Sequence, residues 1–190
     1  HLLTKELEEE LNTLLHLPSK ILNVLQHDEA IQEISKDFVE KRDVLYLGRG
    51  TNYPIALEGA LKLKELSYIH AEAYPAGELK HGPIALIDHQ LPVVVLAPYD
   101  KWFEKTLSNV QEVIARGAYV VAITDKKGAA LFKKQGMKNT NIIGIPIENH
   151  MLMSPIAYTI PMQLLSYYTA YFKGTDVDQP RNLAKSVTVE

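Results

Sequence analysis

The sequence predicts an α/β domain, a three-layer αβα sandwich built on a parallel sheet. Three observations carry that prediction. Residues 92–97 and 119–124 are β-branched runs with no polar alternation, as expected of strands buried on both faces. Between them Phe103, Leu107, Val110 and Ile114 recur at helical spacing. Strands that alternate with amphipathic helices join through right-handed parallel crossovers.

Taken in order, residues 2–15 place Leu3, Leu7, Leu11, Leu14 and Leu15 on one helical face, with Glu6, Glu8, Glu9 and Glu10 on the other. Pro18 and Ser19 punctuate, and Ser19 is expected to cap a short helix ending at Leu25. A further helix over residues 28–40 uses Ile31, Ile34 and Phe38. Residues 1–40 are therefore expected to be helices that pack on the domain proper, residues 41–172, with residues 173–190 as a tail. Within the domain, residues 44–47 read as a strand ended by Gly48-Arg49-Gly50, and residues 54–66 as a helix with Pro54 in its first turn. Residues 69–73 and 141–145 are short strand candidates. Residues 155–172 are the last long helix, which Pro161 is expected to kink or restart.

Composition narrows the function classes. The chain has 190 residues, with 20 Lys and Arg against 23 acidic residues and a net charge of −3. That balance argues against a nucleic-acid or membrane-surface polycation. Cysteine is absent, which removes disulfides, thiolate metal sites and cysteine nucleophiles together. No apolar stretch approaches the ~20 residues that span a bilayer. The start is no signal peptide, and opening on His1 suits a piece of a longer chain. A cytoplasmic location is expected.

Three stretches hold chemistry-bearing groups. Gly48-Arg49-Gly50-Thr51-Asn52 lies between a strand and a helix N-terminus, where doubly wound folds collect phosphates. The same glycines also fit a plain tight turn. Glu58, Lys62 and Glu65 stand at i, i+4 and i+7 and share a helix face. Such a stripe is either a solvated ion-pair row or the equipment for moving a proton beside a carbonyl. Glu78 and His81 have a spacing seen in carboxylate-bridged metal sites, but without a second such pair no metal is expected. Read alone, His81 is a surface or capping histidine, and Lys185 an exposed cation on a fraying tail.

Longer motifs say more. Leu47-Gly48-Arg49-Gly50, the run from Tyr53-Pro54-Ile55-Ala56-Leu57-Glu58 to Lys62-Leu63-Lys64-Glu65, Ala76-Gly77-Glu78-Leu79-Lys80-His81-Gly82-Pro83, and the terminal Asp176-Val177-Asp178-Gln179-Pro180-Arg181-Asn182-Leu183-Ala184-Lys185-Ser186-Val187-Thr188-Val189-Glu190 closely resemble the glucosamine-6-phosphate synthase family. The resemblance spans essentially the whole chain. It implies the second of two sugar-isomerase (SIS) domains, with a flavodoxin-like parallel sheet, and a glutaminase domain and a first SIS domain lying upstream. It implies no cofactor, a homodimer, and conversion of fructose 6-phosphate with glutamine-derived ammonia to glucosamine 6-phosphate. Lys185 matches the lysine that forms a Schiff base with the open-chain ketose. Glu65 matches the base that moves a proton between C1 and C2, and Lys62 an auxiliary lysine. His81 matches the ring-opening histidine, which in the family reaches the site from the neighbouring subunit. Ala184, Arg49 and Thr51 are the expected substrate contacts, although the Arg49–Asn52 loop is poor in the hydroxyls with which the first SIS domain grips phosphate. The isolated segment is expected to be inactive.

Two other readings stand beside this one. A non-catalytic module that binds a sugar phosphate or nucleotide sugar shares the fold. The sensor half of a transcription regulator does too, but the acidic Glu6–Glu10 run offers no basic recognition helix. The joint presence of Glu65, His81 and Lys185 favours the enzyme.

Overall fold

Among the described residues five strands form one parallel sheet: β1 (Asp43–Gly48), β2 (His70–Pro75), β3 (Val93–Leu96), β4 (Val120–Asp125) and β5 (Thr140–Ile145). Their spatial order is β2-β1-β3-β4-β5. The structure, a computed structural model, describes residues 2–147 and 153–183, with only the backbone of residues 2, 3 and 6. Among the described residues seven helices accompany the sheet: α1 (Leu2–Leu15), α2 (Leu17–Leu25), α3 (Asp28–Lys36), α4 (Asn52–Ser67), α5 (Phe103–Ile114), α6 (Lys126–Lys134) and α7 (Met153–Lys173). Two short 3-10 turns follow β2, at Ala76–His81 and Pro83–Leu86.

Strand pleating sorts the core into two layers. Val44 and Tyr46, Val94 and Leu96, and Val121 and Ile123 face α3, α4 and α7. Leu45 and Leu47, Val93 and Val95, and Val120 and Ala122 face the first 3-10 turn, α5 and α6. Both faces being covered, β3 and the first four residues of β4 are apolar at every position, which is why their sequences do not alternate. The strand order reverses direction between β1 and β3, and the loops after those two strands meet at this switch point.

Local details depart from the sequence reading at three places. Ser19 is not the cap of α2: that helix starts at Leu17 behind His16, and the Ser19 hydroxyl donates to the His16 carbonyl at 2.8 Å. Pro161 does not restart the last helix, which runs unbroken from Met153 to Lys173. A helix unforeseen between β4 and β5, α6, is capped by Asp125, whose carboxylate accepts the Gly128 N–H at 2.9 Å. Four lysines and a glycine in nine residues hide its apolar face, which buries Phe132 alone among large side chains.

The front helices differ in how they are used. α3 and the turn after it bury Ile31, Ile34 and Phe38, and α2 buries Val24. None of the described side chains of α1 is buried, and Leu7 and Leu11 are more than half exposed.

The tightest crossing brings α4 and α7 together over β1. A Cβ at Gly59 would fall 2.5 Å from Met162 Sδ and 2.9 Å from the Tyr46 ring. Only glycine lets the helices close over the tyrosine there.

Candidate active site

The crossing over β1 fixes the face of α4 that stays outside the core. Gly59, Ala60 and Leu63 face inward, so Glu58, Lys62 and Glu65 are left together on a half-buried flank. Lys62 Nζ lies 2.7 Å from Glu65 Oε2 and 4.0 Å from Glu58 Oε1. The hydrogen bond to Glu65, then the charges of Glu65 and Glu58, raise the Lys62 pKa against a smaller opposing effect of burial. A lysine so held is a cation at neutral pH. It is suited to polarising an oxygen and unsuited to attacking a carbonyl, which needs a neutral amine.

The end of α4 is joined to the tail. Its C-cap is Tyr68, in the left-handed region at φ 60° and ψ 16°. The Thr175 hydroxyl, just past α7, donates to the carbonyls of Leu66 at 2.7 Å and Ala170 at 3.1 Å. Asp176 accepts the N–H groups of Asp178 and Gln179, both at 2.9 Å, and so folds the next turn. The Arg181 N–H then donates to the Tyr68 hydroxyl at 2.8 Å, while its guanidinium stacks 4.2 Å from the centre of the Tyr68 ring. Lys185 and Ala184 lie outside the described residues.

The Gly48–Asn52 loop is shaped by backbone demands. A Cβ at Gly48 would come 2.3 Å from the Asn52 carbonyl oxygen, and Gly50 has φ +59° with the Trp102 indole against it. The buried Asn52 amide donates to the Arg49 carbonyl at 3.3 Å and to Asp100 at 3.4 Å, tying this loop to the one after β3. Asp125 ties that loop onward by accepting the Tyr99 N–H at 2.6 Å. Thr51 is exposed and its side chain makes no cap hydrogen bond.

Arg49 reaches α5. Its Nη2 donates to Asn109 Oδ1 at 2.9 Å, and its guanidinium packs over Gly77, where an added Cβ would meet Nη1 at 3.1 Å. Asn109 in turn donates to Glu112, which pairs with Lys80 at 2.8 Å. This chain of contacts braces the first 3-10 turn against α5.

His81 ends that turn, exposed, with no hydrogen-bond or ion-pair partner among the described residues. The turn belongs to the α5 layer, α4 to the opposite one. The fold thus brings Glu58, Lys62 and Glu65 together and joins the tail to their helix, but sets His81 in another layer. Among the described residues no cluster of three or more His, Asp or Glu side chains is arranged to hold a metal ion, and no helix is long and apolar enough to cross a membrane.

Sequence reasoning missed Tyr68 and Asp125, and named Asn52 only as part of its loop. The spacing of Asp125 before Lys126-Lys127-Gly128 was a readable cap signal. Nothing local marks a tyrosine as a left-handed C-cap, a place where glycine or asparagine is the usual occupant.

A family model described as SIS domain matches residues 37–173. The chain is similar to glutamine–fructose-6-phosphate aminotransferase (isomerizing) of Agrobacterium fabrum, 57% identical over 186 residues, which cover 98% of this chain and 30% of that protein. The enzyme of the same name from Acinetobacter baylyi is 54% identical over 186 residues, again 98% of this chain and 30% of the relative. Among solved structures, the C-terminal domain of glucosamine-fructose-6-phosphate aminotransferase from Francisella tularensis matches with a TM-score of 0.84 at 47% identity, covering 90% of this chain and 47% of that one. The chain therefore spans under a third of the length of these curated relatives.

Proposed function

Since the chain belongs to the SIS domain family, we propose that it is the second sugar-isomerase domain of a glutamine–fructose-6-phosphate aminotransferase. The observation that carries this reading is the Lys62–Glu65 pair at 2.7 Å, on a helix whose end is tied to the tail. In this reading the neutral amine of Lys185 attacks C2 of open-chain fructose 6-phosphate, water leaves, and an imine forms. Ammonia from glutamine then displaces the lysine at C2. Glu65 takes the proton from C1 and returns it to C2, so a ketose-derived imine becomes the 2-amino aldose, glucosamine 6-phosphate.

Lys62 has the complementary task. Fixed as a cation by its two carboxylates, it stabilises negative charge that develops on a substrate oxygen during the proton shift. His81 opens the sugar ring. Its exposure and its place in the layer opposite α4 support a route to the reaction centre from the second subunit of a homodimer. Substrate contacts from Arg49, Thr51 and Ala184 belong to the same reading, as do an upstream SIS domain, an upstream glutaminase domain and a cytoplasmic setting. Arg49, engaged with Asn109, acts on the pocket by bracing the 3-10 turn that bears His81.

Borohydride reduction with fructose 6-phosphate, read by peptide mass spectrometry, tests the assignment. The enzyme that contains this chain together with its upstream domains is expected to carry the sugar adduct on Lys185. The segment alone is expected to carry none, because the upstream domain supplies the phosphate grip. Turnover by the long form without any adduct at Lys185 would overturn the Schiff-base role.

A further inference from the structure

Resting on the reading above, we propose that the outer face of α1, α2, α4 and α7 is the docking surface for the upstream SIS domain of the same chain. It is the side of this domain on which the other half of the site is built.

The apolar surface is unevenly shared. Of the fourteen large apolar side chains exposed among the described residues, eleven stand on α1, α2, α4 and α7, and none on α5 or α6. Yet the two helical layers have the same task toward the sheet, each burying a cluster against one of its faces. Single exposed leucines are ordinary. Their concentration on one layer marks a surface that a partner covers.

These helices are joined to one another. α7 packs on α4, α3 and α2, and α1 packs on α2. On α7 the rings of Tyr167 and Tyr171 stack with centroids 6.5 Å apart, and both are exposed. α1 is the extreme case: Leu7, Leu11 and Leu14 stand at i, i+4 and i+7, and none of its described side chains is buried. A helix of fourteen residues is marginal in water by itself, so its stability has to come from packing such a stripe.

The chemistry selects the occupant. Leu57 and Leu61 are exposed on α4 directly beside Glu58 and Lys62, so whatever covers these leucines also walls the candidate site. That wall has to bring a phosphate grip. The Arg49–Asn52 loop has one hydroxyl side chain, Thr51, and its cation, Arg49, already donates to Asn109. A second copy of this chain would bring the same hydroxyl-poor loop. The upstream SIS domain is the partner to which the reading above assigns the grip. Length allows for it: this chain covers 47% of the solved Francisella tularensis C-terminal domain, which leaves about half of that domain for a second unit of similar size.

The test uses the enzyme that contains this chain with its upstream domains. Benzoylphenylalanine, a photo-crosslinker, replaces Leu11 (52% exposed) or Tyr171 (61% exposed), with the exposed Ser108 on α5 as control. Denaturing gels read the mass of the products and peptide mass spectrometry reads the partner. Leu11 and Tyr171 are expected to couple to the upstream SIS domain at the mass of a single chain, and Ser108 is not. Tyr171→Glu, which sets an unpaired charge in the buried face, is expected to lower kcat/KM for fructose 6-phosphate by about 10- to 100-fold. Ser108→Glu should stay within about twofold. Products of doubled mass assign the face to a second copy and overturn the proposal, as does coupling to the glutaminase domain or to no protein at all. Full activity in Tyr171→Glu overturns it too. An extended wild type that forms no glucosamine 6-phosphate removes the reading and the docking face together, whereas an active one with misplaced cross-links removes the docking face alone.

Discussion

Lys62 Nζ and Glu65 Oε2 stand 2.7 Å apart on a helix flank where neither side chain is more than about a third exposed. An ion pair this accessible adds little to stability, about 0–1 kcal/mol, so its value lies in chemistry. Glu65→Gln, which keeps the shape and removes the base, is expected to lower kcat of the enzyme carrying its upstream domains by at least ~100-fold. Lys62→Met should lower it as well, and both should leave the urea midpoint nearly unmoved. The raised Lys62 pKa sets the alkaline limb: its charge persists through the ordinary lysine range and is lost only as pH climbs above that range. A pH–rate profile in which Lys62→Met leaves the rate intact would remove the lysine from the mechanism.

Gly59 is the packing position on which the flank depends. Gly59→Ala sets a methyl against the Met162 sulfur and the Tyr46 ring and is expected to cost about 1–3 kcal/mol. Part of that should return in the double variant with Met162→Ala, because the clash is then relieved. Urea unfolding of the four proteins reads the coupling, and strict additivity would show that the crossing tolerates the extra carbon.

Tyr168 on α7 donates to both carboxylate oxygens of Asp28 on α3, at 2.6 and 2.7 Å. That hydrogen bond first, then burial and the Asp28 charge, push its pKa up to about 12. A raised folded-state pKa means stability that is complete below the unfolded value, ~10, and lost as pH rises through about 12. Tyr168→Phe is therefore expected to cost roughly 1 kcal/mol at pH 8. The gap between wild type and variant should close between pH 10 and pH 12. Urea midpoints at pH 8 and above pH 11 decide it, and a gap that persists at the higher pH would place the tyrosine's contribution outside the hydrogen bond.

Sequence by itself determined the elements whose signals are local. The unbroken apolar runs of β3 and β4, the helical face of α5 and the shared flank of Glu58, Lys62 and Glu65 follow from strand and helix periodicity. They needed no partner to be read. Only the tertiary structure decided what depends on residues far apart in the chain. It turned Arg49 toward Asn109, 60 positions away, because the guanidinium's partners lie on α5. His81 was set in the layer opposite α4, because the turn after β2 buries Ala76 and Leu79 against the other face of the sheet. Tyr68 was placed as a left-handed cap of α4 that meets Arg181, 113 residues downstream. Periodicity is a property of neighbours, whereas these contacts arise only when the chain has closed on itself.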